Sequence, residues 1–301
     1  MSVITLIDGG MSRELQRCGA TLAQPEWSAL ALIHQPEIVR KAHEEFIKAG
    51  AEVIIANNYA VVPFHLGEDR FAAQGGALAH LAGQLAREAT QINPSVKVAG
   101  ALPPACGSYV PDQFDADKAR AILSVLIENM DANVDLWIAE TMSSLEEARV
   151  TAQAAKASDK PLWMAFSLRD DLAPEQMPTP QLRSNEAVED AVKLAIDMGA
   201  KAVLFNCSMP EVMKQAIEVA AQVLRDLGRE IPIGVYANAF APVDEPLAAN
   251  EALNVVRADL DPAGYCIWVD QWIAAGATIV GGCCGIDAPH IAALHAHLKA
   301  D

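Results

Sequence analysis

Eight short apolar runs, separated by helical patterns, limit the possible folds of this chain more than any other feature. They are VITLID (3–8), VIIANN (53–58), VKVAGAL (96–102), LWIAET (136–141), LWMAFSL (162–168), AVLFNC (202–207), IPIGVYAN (231–238) and ATIVGG (277–282). Each is apolar on both faces and partly β-branched or aromatic. Strands of that kind belong in a buried parallel sheet. Between them lie amphipathic stretches such as QPEIVRKAHEEFIKAGA, where Ile38, Ala42 and Phe46 share a face and Gly50 marks the stop. SSLEEARVTAQAAKA opens on Ser143 and Ser144 as capping candidates with acids in its first turn. The final DAPHIAALHAHLKA carries Pro289 in its first turn. Eight such repeats over 301 residues predict a single-domain (β/α)8 TIM barrel spanning 1–301. A doubly wound open sheet is the competitor, but no glycine-rich fingerprint follows the first strand. The segments 59–76, 103–116, 170–184 and 239–266 exceed a minimal βα loop, and long loops after strands are where barrel enzymes build their sites.

Composition excludes several function classes. The formal net charge of −17 repels nucleic acid and anionic membrane surfaces. The chain opens straight into strand-like sequence with no basic leader, and the weakly charged run 267–286 contains Asp270, Gln271 and four glycines, a poor membrane span. The expected location is the cytoplasm, where a large chain keeps its thiols reduced. The six cysteines, Cys18, Cys106, Cys207, Cys266, Cys283 and Cys284, then suggest metal or catalysis where they cluster.

In a barrel, the residues at the C-terminal ends of the strands share one mouth. Counting strands places there Asp8, Asn57 with Asn58, Glu140, Ser167, Asn206 with Cys207, Asn238, and Cys283 with Cys284. Strands six and eight are next-but-one neighbours, so Cys207 comes within reach of the adjacent pair. Three thiolates select zinc among common cellular metals, and three protein ligands leave the fourth position open, as in catalytic sites. Other readings remain. A lone Cys207 is a buried small hydrophobe, the vicinal pair can form a disulfide, and either acid can begin a turn or cap a helix. The seven histidines fall away from the strand ends, and the three near the C-terminus fit an exposed helix.

The motifs LIDGG (6–10), PEWSALAL (25–32), KAGAEVIIANNY (48–59), AETMSSLEEA (139–148), NCSMPEVM (206–213) and GGCCG (281–285) followed by PHIAAL (289–294) extend the pattern along the whole chain. In these the chain resembles the homocysteine S-methyltransferase family of zinc-dependent barrels. The resemblance implies zinc on Cys207, Cys283 and Cys284. It implies an amino acid acceptor held by Asp8 and Glu140, with Glu140 facing the ammonium and the backbone of Gly9 and Gly10 against it. Tyr59 falls near the methyl donor, Asn206 orients the first ligand or the acceptor, and Asn57 is counted with the substrate-binding residues. The length matches stand-alone members, which take methyl from S-methylmethionine or S-adenosylmethionine and give methionine.

The chemistry agrees. The thiolate is the nucleophile, and a metal lowers the thiol pKa. An aromatic such as Tyr59 or Tyr109 beside a cationic donor adds roughly 0.5–2 kcal/mol. The stretch GALPPACGSYVPDQFD (100–115) departs from the family pattern on the donor side, which leaves betaine open as a donor. Two further alternatives are another small thiol or selenol as acceptor, and a non-catalytic redox or metal sensor. The partners expected are small molecules; the oligomeric state stays open.

Overall fold

All eight apolar runs form strands. The computed structural model describes residues 3–172, 174–177, 179–240 and 256–300. The strands are β1 (Thr5–Leu6), β2 (Val53–Ile55), β3 (Lys97–Leu102), β4 (Leu136–Met142), β5 (Leu162–Ser167), β6 (Ala202–Asn206), β7 (Ile233–Ala237) and β8 (Ile279–Gly282). Every neighbouring pair is parallel, in the order β1-β8-β7-β6-β5-β4-β3-β2. The remaining seam, between β1 and β2, closes through the parallel bridge Ile7–Val53, with Glu52 N–H donating to Leu6 O at 2.7 Å and Asp8 N–H to Val53 O at 3.0 Å. The result is a TIM barrel.

The helices after β1 are α1 (Met11–Arg17), α2 (Ser28–His34) and α3 (Pro36–Lys48), and those after β2 are α4 (Pro63–Leu66) and α5 (Glu68–Ala89). The others follow one per strand: α6 (Ala116–Met130), α7 (Leu145–Ala155), α8 (Val188–Asp197), α9 (Pro210–Asp226), α10 (Pro262–Ala275) and α11 (Ala288–Ala300). Two expected loops are corrected. The segment 59–76 is mostly helical, because Gly67 at φ 77° breaks the chain after α4 and Glu68 and Asp69 open α5 where the helix dipole favours acids. Of the expected loop 239–266, residues 241–255 lie outside the described residues, and α10 already begins at Pro262. No helix among the described residues is long and apolar enough to cross a membrane.

Period-two alternation sorts the strand residues into two cores. Ile7, Val53, Ala99, Leu136, Ile138, Ala165, Ala202, Leu204, Tyr236 and Ile279 fill the barrel interior. Their alternates, such as Val98, Trp137, Phe166, Phe205 and Val235, pack against the helices. Glu140 continues the inward set of Leu136 and Ile138. One extra residue in β4 between Ala139 and Met142, relative to β5, makes a bulge at the position of Glu140 and Thr141. Such bulges re-aim side chains next to sites.

At the start of α7 the Ser144 hydroxyl accepts Glu147 N–H (3.2 Å), while the Glu147 carboxylate accepts Ser143 N–H (2.7 Å), a reciprocal cap. Glu147 is buried, and burial pushes its pKa up to about 7 against the pull of these N–H groups. In the unfolded chain the carboxyl ionises near 4.5, so between that pH and 7 the folded state holds a proton that the unfolded state has lost. Stability from this group is therefore present at low pH and lost as pH rises towards 7. Relative to a Glu147→Gln variant, the wild type should lose up to about 3 kcal/mol across that window, read from denaturant midpoints of both proteins at each pH. Parallel curves would show that Glu147 ionises normally.

Candidate active site

The C-terminal ends of the strands surround a cleft of about 100 Å3. Among its walls are Gly9, Gly10, Trp27, Asn57, Tyr59, Ser108, Tyr109, Glu140, Cys207, Tyr236, Cys283 and Cys284. The three cysteines converge as the strand count requires, with their sulfurs all within 4.8 Å of one another. Cys207 leaves β6 with φ 47°, in the left-handed region, and its N–H donates to Tyr236 O at 3.3 Å. Cys283 leaves β8 with its N–H on Ala237 O (2.9 Å), and the Cys284 carbonyl accepts Ala239 N–H (2.8 Å). Gly10 allows this packing, since a Cβ there would run into the Cys283 carbonyl.

Cys207 and Cys283 are joined as a disulfide here, and the Cys284 sulfur lies 4.0 Å from that of Cys283. The sequence leaves a disulfide open as an alternative for the adjacent pair; the bonded pair is instead Cys207 with Cys283. The donor set nevertheless fits a metal once that bond is opened. A tetrahedral ion with 2.3 Å bonds to sulfur separates its ligands by about 3.8 Å, and Cys283 and Cys284 already stand near that spacing. Burial, and then the nearby Glu140 carboxylate, push the Cys284 thiol up to about 12. A thiol so placed loses its proton to solvent readily only when a cation takes its place on the sulfur. Cys18, Cys106 and Cys266 stand apart from this cluster.

Glu140 lies in the cleft wall, 7% exposed. Burial pushes it up to about 7, opposed by the Tyr236 hydroxyl, which approaches Glu140 without a well-aligned hydrogen bond. A buried carboxylate with so few fixed donors has capacity for a cationic partner. Asn57 donates to Ser28 O (3.2 Å), while its Oδ1 has no partner among the described residues although it is buried. Gly9 and Gly10 present bare backbone to the cleft, and a Cβ on Gly9 would meet Ile286 O at 2.5 Å and the Phe46 ring. Tyr59 shares a 2.7 Å hydrogen bond with Ser108 and meets Trp27 edge-on at 6.1 Å.

Two expected substrate residues do not reach the cleft wall. The buried Asp8 carboxylate accepts Ile55 N–H at 2.8 Å and so staples the β1–β2 seam. Burial raises its pKa well above the usual carboxylate range, the Ile55 N–H opposes this, and Glu140 adds to it. Asn206 spends its amide on Thr141: Oδ1 accepts Thr141 N–H (3.1 Å) and Nδ2 donates to Thr141 Oγ1 (2.8 Å). Thr141 stands at φ 60°, so Asn206 secures the bulge that carries Glu140. His290 is also not on an exposed face; it is buried between Asp287 Oδ1 (2.5 Å) and Leu260 O (3.0 Å).

Trp27, Ser108 and Tyr236 are cleft residues that sequence reasoning did not single out. Inward alternation along β7 from Gly234 marks Tyr236, and the quoted PEWSALAL contains Trp27. Among the described residues, four of the five non-glycine residues with left-handed φ, Trp27, Tyr109, Thr141 and Cys207, lie in or against this cleft. Each such residue costs on the order of 1–3 kcal/mol, and such strain clusters at functional sites.

The comparisons agree with this geometry. The family model for homocysteine S-methyltransferase matches residues 5–298. The homocysteine S-methyltransferase of Escherichia coli (strain K12) is 30% identical, with 97% of this chain and 94% of that protein covered. A selenocysteine methyltransferase of Astragalus bisulcatus is 26% identical, with 93% and 88% covered. Among solved structures, the metallated form of the homocysteine methyltransferase MmuM from Escherichia coli superposes with a TM-score of 0.75 at 28% identity, covering 98% of this chain and 96% of that one. With the barrel, the three converging cysteines and a match over nearly its full length, the chain belongs to the homocysteine S-methyltransferase family.

Proposed function

We propose that this barrel, acting as one domain, transfers a methyl group from a sulfonium donor, S-methylmethionine or S-adenosylmethionine, to the thiol of homocysteine, giving methionine, with zinc held by Cys207, Cys283 and Cys284. The observation that carries this reading is the convergence of three sulfurs within 4.8 Å on a cleft that also holds a buried carboxylate. When bound, the zinc would take the acceptor sulfur as thiolate and keep it nucleophilic at neutral pH.

The chain's own residues do the rest. Glu140 pairs with the acceptor ammonium, and the unpartnered Asn57 Oδ1 accepts a second of its protons. The Gly9 and Gly10 backbone lies against the acceptor, a packing that glycine permits because a side chain at either position would strike the Ile286 or Cys283 carbonyl. Asp8 and Asn206 serve the acceptor indirectly, through the seam and the bulge. Trp27, Tyr59 and Tyr109 offer aromatic surface to a cationic donor, a contribution of roughly 0.5–2 kcal/mol per well-placed ring. In-line displacement needs positioning and a thiolate, not a general base.

The test is a donor panel with homocysteine. Protein reduced by a phosphine is supplied with S-methylmethionine, S-adenosylmethionine or betaine, and methionine is measured with and without a chelator. Methionine is expected with a sulfonium donor, lost on chelation and restored by zinc. Turnover by metal-free protein would overturn the zinc assignment, and turnover with betaine alone would overturn the donor class.

A further inference from the structure

The loop after β5 brings a charged group against the metal-ligand backbone. Antiparallel bridges Leu168–Leu182 and Gln181–Ala187 fold the loop back on itself, and Ser184 N–H donates to Ser143 O at 3.0 Å. Between these ties stands Arg183. Its Nη1 lies 3.0 Å from Asp170 Oδ1 and its Nη2 lies 3.1 Å from Asp170 Oδ2, a two-pronged fork that fixes the guanidinium plane. Asp170 is itself anchored by Met209 N–H (3.1 Å), two residues after Cys207.

So held, Arg183 makes two further contacts. Nη2 donates to the Cys207 carbonyl at 3.3 Å, and the guanidinium carbon lies 4.3 Å from the centroid of the Tyr109 ring. Tyr109 lines the cleft, stands at φ 65°, and directs its own hydroxyl to the same Cys207 carbonyl at 3.5 Å. The carbonyl of one cysteine thus receives donors from two loops, and that cysteine is the one whose backbone is left-handed. A β-strand continuing past Asn206 in extended geometry would alternate its side chains across the sheet; the turn at Cys207 aims the thiol at Cys283 and Cys284 instead. Holding that turn costs free energy, and a charge-assisted hydrogen bond on its carbonyl offsets part of it.

We infer that Arg183 is a positioning residue: clamped by Asp170, it holds the Cys207 backbone in its metal-binding turn and the Tyr109 ring in the cleft wall. The inference rests on the reading of the three cysteines as a metal site. Lysine cannot replace it, because a point charge reproduces neither the fork to Asp170 nor the stacking on Tyr109.

The test measures zinc affinity on the reduced, full-length apoprotein by competition with a chromophoric chelator, for wild type, Arg183→Met, Arg183→Lys and Asp170→Asn. Thermal midpoints are recorded alongside. Support groups of this kind affect metal affinity about 10–100-fold. Both Arg183 variants are expected to bind zinc within that range more weakly, and Asp170→Asn several-fold more weakly, with one zinc per chain still reached at saturation. If the variants bind zinc within twofold of wild type while their thermal midpoints fall, Arg183 merely pins its loop and the inference is overturned. Should an Arg183 variant fail to fold, Asp170→Asn, which keeps the arginine and loosens only its clamp, decides by the same criterion. If wild type itself binds no zinc, it is the metal reading that fails.

Discussion

Replacing Cys207, Cys283 or Cys284 singly with serine is expected to take bound zinc from about one per chain to a small fraction of that, and to lower methyl transfer roughly a thousandfold or more. The serine hydroxyl is close in size to the thiol but is not deprotonated near neutral pH, so the variant offers two thiolates where a stable open site needs three. Without the metal the acceptor thiol keeps a pKa of about 8.5 and remains mostly protonated. The several kcal/mol of charge stabilisation supplied by an ion are lost, and each 1.36 kcal/mol is tenfold in rate. The checks are metal analysis after dialysis and methionine formation under saturating donor. Serine at Cys18, Cys106 or Cys266 should leave both readouts within about twofold, because these thiols stand outside the cluster. A Cys284→Ser protein that kept its zinc and its rate would remove the third ligand from the scheme.

Glu140→Gln is expected to lower kcat/KM for homocysteine by about a hundredfold to a thousandfold. Removing one partner of a buried charge pair costs roughly 2–5 kcal/mol, and Glu140 is 7% exposed at the cleft wall. The diagnostic comparison uses 4-mercaptobutanoate, which keeps the thiol and carboxylate of homocysteine and lacks its amino group. With that acceptor, wild type and variant should be similarly slow, because the ammonium that Glu140 serves is absent. Equal losses with both acceptors would move Glu140 from the acceptor's head group to the sulfur and its metal.

The barrel was legible in the sequence because burial on both faces leaves strands as continuous apolar runs, and all eight runs became strands. The three-cysteine cluster was legible for a topological reason: strands six and eight stand one apart, which brings Cys207 to the adjacent pair. What a strand-end position does not reveal is whether a polar side chain still has hydrogen bonds to give. Asp8 commits one carboxylate oxygen to Ile55 N–H, and Asn206 commits both ends of its amide to Thr141. Both looked equivalent to Asn57, a cleft residue whose buried Oδ1 has no partner among the described residues. Tyr236 was hidden inside an apolar run, where its ring reads as core. Arg183 was hidden because its partners come from Asp170, Tyr109 and Cys207, which only the folded loops bring together. The start of α5 was missed because Gly67 reads as loop whether it ends a helix or separates two.

The left-handed residues around the cleft bear on how this protein can be engineered. A procedure that rewards comfortable backbone geometry would offer glycine at Trp27, Tyr109, Thr141 and Cys207. Each exchange would relieve the local conformation and delete a thiol of the cysteine cluster, an aromatic wall of the cleft or the anchor beneath Glu140. Gains in thermostability are better sought on the outer helices, since around the mouth the least favourable torsions and the working side chains are the same residues.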